Sequence, residues 1–120
     1  MIVDEIMTRK VITIESGDTL YNAQALMVKN SIRHLPVVQK NQLEGIITES
    51  DIRVAFVQNN TGSSKVTVLD PKKMKVVDYM TRDPRIVQPD TNVEDAALLI
   101  YQNKIGSLPV VQGDKLVGII

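Results

Sequence analysis

A shift of 73 residues lays Val3–Ile47 over Val76–Ile120 without a gap, and 17 of the 45 paired positions are identical. Unrelated sequences of ordinary composition match at roughly one position in sixteen. The chain therefore carries an internal duplication, and its fold must be built from two like halves. The identities fall in blocks: Met7-Thr8-Arg9 with Met80-Thr81-Arg82, Leu35-Pro36-Val37-Val38-Gln39 with Leu108-Pro109-Val110-Val111-Gln112, and Gly45-Ile46-Ile47 with Gly118-Ile119-Ile120.

Inside each copy the periodicity changes in one order. Val11-Ile12-Thr13-Ile14 and Arg85-Ile86-Val87 read as short strands, closed by the turn signals Ser16-Gly17-Asp18 and Pro89-Asp90. Leu20, Ala23, Leu26 and Met27, matched by Val93, Ala96, Leu99 and Ile100, then recur at helical spacing, and Thr91 with Glu94 has the form of a capping box. Two β-branched runs follow, separated by Lys40-Asn41-Gln42 or Gly113-Asp114-Lys115, the grammar of a hairpin. In the first copy Ile52, Ala55 and Phe56 continue as a second helix, and Asn59 to Ser64 reads as a flexible connection. Each unit is thus β-α-β-β-α, an α/β (α+β) arrangement. The expected boundaries are 1–60 for the first unit, 61–75 for a linker and 76–120 for a second unit lacking its final helix. A three-stranded sheet with helices on one face leaves its other face bare, so the units are expected to pack sheet to sheet. Because the second copy halts where the first goes on to Thr48-Glu49-Ser50-Asp51, the open reading frame is expected to continue past Ile120.

Composition narrows the functional classes. Fourteen basic and fourteen acidic residues cancel, which removes the broad positive field of a nucleic-acid or membrane binder. No cysteine is present, so thiolate catalysis and zinc–sulfur sites are excluded. With one Phe, three Tyr and no Trp, the core must be aliphatic. The apolar runs are only a few residues long and nothing resembles a signal peptide, so the expected location is cytoplasmic. No nucleophile–base pair, Walker loop or GxGxxG is apparent, and the chain is not expected to be an enzyme. His34 is the sole histidine, too few for a metal cluster or a Ser-His-Asp relay.

The best-placed polar constellation is Thr48-Glu49-Ser50-Asp51. A strand that turns into a helix there would set free N–H groups and a helix dipole beside two hydroxyls, a seat for phosphate. Asp51 could accept both hydroxyls of a ribose. Thr48 with Asp51 is equally a plain capping box. His34 reads either as a half-buried edge residue or as a phosphate neighbour, Gly106 as a cleft residue or a glycine that opens a strand, and Arg85 as a phosphate contact or a solvated cation. Thr81 reads as a cap of the approach helix, and the lysines of Lys72–Lys75 as a solvated face.

The doubled β-α-β-β-α order, the run Ile32-Arg33-His34-Leu35-Pro36-Val37-Val38 and above all Gly45-Ile46-Ile47-Thr48-Glu49-Ser50-Asp51-Ile52-Arg53 resemble two CBS motifs in tandem, the Bateman module. Within that family the opening MIVDEIMTRKVITI is similar to the amino-terminal half of acetoin-utilisation protein B-like chains. The resemblance implies a regulatory module that binds adenosine-containing ligands, AMP, ADP, ATP or S-adenosylmethionine, and passes their occupancy to a partner domain or protein, and it sets Thr81 where some relatives touch ligand. A homodimer is expected because the helical faces around Leu26-Met27 and Leu99-Ile100, with Val54 and Val57, offer more aliphatic surface than two small sheets can hide. The resemblance also implies a cleft using Ile46, Thr48, Ser50, Asp51 and His34 against Pro84, Arg85, Ile86, Ile105 and Gly106, with the apolar members around the base. The competing reading is a ligand-free module that serves only dimerisation.

Overall fold

The computed structural model describes residues 1–60 and 69–120, the stretch 58–60 by its backbone. The first unit holds helix α1 (Leu20–Asn30), strands β1 (His34–Gln39) and β2 (Gln42–Thr48) and helix α2 (Glu49–Asn60). Strand β3 (Thr81–Arg82) leads to the second unit, with helix α3 (Val93–Asn103) and strands β4 (Pro109–Gln112) and β5 (Lys115–Ile119). Asn59 and Asn60 thus end α2, and positions 61–64 of the expected connection lie outside the described residues.

Sequence chemistry accounts for the element ends. Thr19 caps α1 by accepting from the Asn22 N–H at 3.2 Å, and Ser31 closes it in the left-handed conformation (φ 54°). The cap of α3 is Asn92, whose side chain accepts from the Glu94 N–H at 2.8 Å, one residue later than the Thr91 and Glu94 box expected. Thr91 instead takes the Gln88 N–H at 3.0 Å, tightening the turn before the helix. Lys40 and Asn41, both with positive φ, form the two-residue turn between β1 and β2, so Gln42 belongs to the strand.

The strands expected at Val11–Ile14 and Arg85–Val87 shrink to single parallel bridges, Ile14 to Val37 and Val87 to Val110. The Ile14 N–H donates to the Pro36 carbonyl at 3.1 Å and its own carbonyl accepts from Val38. Two residues upstream the ladder would need an N–H at position 36, and proline has none. Pro109 stops the second copy in the same way, since Val87 bonds to Pro109 and Val111.

The sheet runs β1-β2-β5-β4, with β3 added beside β2, and the two hairpins meet through Gln42 and Lys115. Beneath the repeat lies a reciprocal exchange. Val3 and Asp4 donate to Thr91 and Pro89 of the second unit, while their equivalents Val76 and Val77 donate to Asp18 and Ser16 of the first. Thr8 bridges Ile119 as Thr81 pairs with Ile46. One core accordingly gathers Ile14, Leu20, Ala23, Met27, Leu35, Val37, Ile47, Ile52 and Ala55 with Met74, Val76 and Met80 from the approach to the second unit. The other takes Val3 and Met7 from the chain's start and joins them to Val87, Ala96, Leu108 and Val110.

Candidate functional site

The β2 to α2 junction is built as a reciprocal capping box. The Thr48 hydroxyl accepts from the Asp51 N–H at 3.0 Å, and Asp51 Oδ2 accepts from the Thr48 N–H at 3.0 Å. A carboxylate retains acceptor capacity after one such bond. Thr81, on β3, reaches it with its hydroxyl at 3.4 and 3.5 Å from the two oxygens. The box tethers Asp51 to the segment that arrives from the second unit.

Beside this junction opens a cleft of about 450 Å³ between the two motifs. Of the residues proposed from sequence, it brings together His34, Ile46, Thr48, Ser50, Pro84, Arg85, Ile105 and Gly106. Asp51 is held behind that wall, half-buried and in contact through Thr48 and Thr81, both of which line it. Ile86 is not brought in. It is 45% exposed and faces a separate shallow depression shared with Pro84, Val111 and Asp114. Arg85 beside it lines the cleft, while Ile86 looks out on that depression.

The wall also includes Thr81, Asp83, Asn103, Lys104, Ser107 and Pro109. Thr81 stood open between two readings, and Asp83, Asn103, Lys104 and Pro109 escaped sequence reasoning. One signal was available, because Ser107 is the repeat equivalent of His34. The Ser107 hydroxyl is buried without a hydrogen-bond partner among the described residues.

Gly106 earns its place through contact. A Cβ there would stand 2.8 Å from both Cε1 and Nε2 of His34, so the imidazole from one motif rests directly on the backbone of the other. Burial is the first cause that lowers the His34 pKa below its ordinary value, the Arg33 charge the second, and Asp51 pulls the other way. Among the described residues, no group of three His, Cys, Asp or Glu side chains could hold a metal ion. A second, larger concavity of about 880 Å³ lies between α1 and α2. Its wall is mainly apolar, with Tyr21, Val28, Ile52, Phe56 and Val57, and lacks the convergent polar groups of the interdomain cleft. No helix among the described residues is long and apolar enough to cross a membrane.

The family model for the CBS domain matches residues 3–58 and again 76–120. The chain belongs to the CBS domain family. As a tandem CBS pair it is similar to the crystal structure of a Vibrio cholerae protein assigned to acetoin utilization (AcuB), with 32% identity and a TM-score of 0.85 over 100% of this chain and 83% of that one. It is similar also to the CBS domain pair of protein MJ0100 in complex with 5′-methylthioadenosine and S-adenosyl-L-methionine, with 30% identity and a TM-score of 0.85 over 100% and 88% of the two chains. Among curated proteins it is 30% identical over 122 residues to a homoserine O-acetyltransferase of Methanosarcina acetivorans. The match takes in 100% of this chain but spans only 20% of that enzyme.

Proposed function

We propose that the CBS pair is a non-catalytic regulatory module that binds an adenosine-containing small molecule in the cleft beside the β2 to α2 junction and relays its occupancy to a partner domain or protein. The observation that carries this reading is the convergence of side chains from both motifs on one cleft at a hydroxyl-bearing helix start. The adenosine ligands of the similar MJ0100 pair support the ligand class. In this reading Asp51 takes the ribose hydroxyls in exchange for its long contact with Thr81, and Ile46 and Ile105 flank the base. The module acts as a homodimer, with the apolar groove between α1 and α2 facing a second copy.

A thermal-shift panel of AMP, ADP, ATP and S-adenosylmethionine tests the proposal. A ligand present at a hundred times its dissociation constant adds about 2.7 kcal/mol to the folded state. For a domain of this size that raises Tm by roughly ten degrees. Asp51→Ala should abolish most of the shift, while costing the free protein about 1 kcal/mol for the lost half of its capping box. Asp114→Ala is the control, because its carboxylate lies outside the cleft and accepts from exposed Gln42 at 2.8 Å, at the turn ends of the hairpins. If no panel member moves Tm at millimolar concentration, or if Asp51→Ala binds as the parent does, the ligand-free dimerisation module takes its place.

A further inference from the structure

The charges around the cleft are unevenly shared. Two permanent cations line it, Arg85 from the segment before α3 and Lys104 from the residue that ends α3, against one lining carboxylate, Asp83. Both cations belong to the second unit and both are exposed. Across from them the first unit offers Thr48 and Ser50 at the start of α2. The Asp51 carboxylate is already occupied by the Thr48 N–H and approached by the Thr81 hydroxyl. Neither Arg85 nor Lys104 is among the salt bridges formed by the described residues, so neither cation is neutralised at close range.

We infer that this cleft selects a phosphorylated adenosine over an uncharged or sulfonium-bearing one, with Arg85 and Lys104 acting as its charge-specificity residues. The inference rests on the adenosine reading above and narrows it. A 5′-phosphate is anionic at neutral pH and bridges the Thr48 and Ser50 hydroxyls of one unit to the cations of the other. 5′-Methylthioadenosine brings no charge to that end, and S-adenosylmethionine brings a sulfonium, an ammonium and a carboxylate, a net positive charge that two cations oppose where a phosphate is net negative. The preference therefore runs against the two ligands present in the similar MJ0100 complex. Lys104 is fixed for the task by the left-handed backbone (φ 52°) that caps α3, where its N–H bonds back to Ile100 and Tyr101.

Calorimetric titration of the whole chain with AMP, adenosine and 5′-methylthioadenosine, at about 0.05 M and about 0.5 M salt, decides the matter. AMP should bind at least about tenfold more tightly than adenosine at low salt, as charge-assisted hydrogen bonds allow. The ratio should shrink in high salt. Arg85→Gln and Lys104→Gln should each lower the AMP-to-adenosine ratio by about two- to fivefold, the range for exposed charge pairs. Lys115→Gln, at the far end of the hairpin, should leave the ratio unchanged. If adenosine or 5′-methylthioadenosine binds as tightly as AMP, or if both cation substitutions leave the ratio intact, charge selection is overturned while the adenosine site stands. If none of the three binds, the adenosine site itself fails and charge selection falls with it.

Discussion

His34 shows how one side chain can report on the packing of two motifs. Its ring sits on Gly106, and burial disfavours its charged form. Arg33, the residue just before its strand, adds to that effect, and Asp51 on α2 opposes it. Asp83, Arg85 and Lys104 share the same cleft. Because the folded-state pKa lies below the unfolded value of about 6.5, the unfolded chain takes up the proton first as pH falls. Between those two pKa values the unfolded state holds more protons, so stability rises with pH in that window and is lost as pH drops through it. The free protein should lose Tm on going from pH 7.5 to below 6, and His34→Gln should flatten that part of the profile. The chain has a single histidine, so the difference between the two melting curves isolates the effect. Identical profiles for parent and variant would show that the ring is not desolvated by the opposing motif. Ile46 and Ile105 were legible in sequence because a repeated phrase marked them, and Thr48 and Gly106 because the helix-start chemistry and the family resemblance did. Lys104 and Asn103 were hidden because only the geometry of a helix end brings them to the cleft, and Ile86 was misdirected because a run of three residues does not reveal which side each faces.

At the scale of elements, duplication was plain in the sequence but partnership was not. Aligning 3–47 with 76–120 says which residues are equivalent, and equivalence is silent about which copy they pack on. The helices and hairpins were recoverable because their contacts are local, while the exchange of Val3–Thr8 and Val76–Thr81 rests on contacts across the whole chain. Two glycines mark where the exchanged segments cross the sheets. A Cβ on Gly45 would stand 2.6 Å from the Thr81 carbonyl oxygen and 2.9 Å from Met80 Sδ. On Gly118 it would stand 2.6 Å from Met7 Sδ and 3.1 Å from the Thr8 carbonyl. A thioether can swing aside, whereas a paired carbonyl moves only with its strand. Gly45→Ala should therefore cost about 2–3 kcal/mol in urea denaturation and Gly118→Ala about 1 kcal/mol. Since Thr81 is the residue that reaches Asp51, Gly45→Ala should also weaken ligand binding, and equal costs with unaltered binding would contradict this account of the crossing.

For the whole molecule, the exchange means that neither half closes its core alone: the first needs Met74, Val76 and Met80, and the second needs Val3 and Met7. Even so, the aliphatic surface is not used up. Val28 remains 81% exposed on α1 and Val57 59% exposed on α2, flanking the groove that Tyr21, Ile52 and Phe56 also line. An apolar groove of this kind on a small protein marks an interaction surface. Its rim carries Lys29 and Arg53 beside Glu49, so both signs of charge are present on one patch. An isologous dimer requires a patch that meets its own copy under two-fold rotation, and both signs of charge on one rim allow opposite charges to face each other there. A stable contact of this type buries more than about 1,000 Å² in total, which two facing α1–α2 pairs can supply if they lie antiparallel and interdigitate. The expected species at micromolar concentration is a dimer of the 13.3 kDa chain. Val28→Glu combined with Val57→Glu would place four carboxylates in the dry centre of the contact and should give monomers that remain folded, because both positions are exposed within one chain. Light scattering on parent and double variant distinguishes the outcomes: a parent that is already monomeric removes the groove as a dimer face, and a double variant that stays dimeric moves the interface elsewhere.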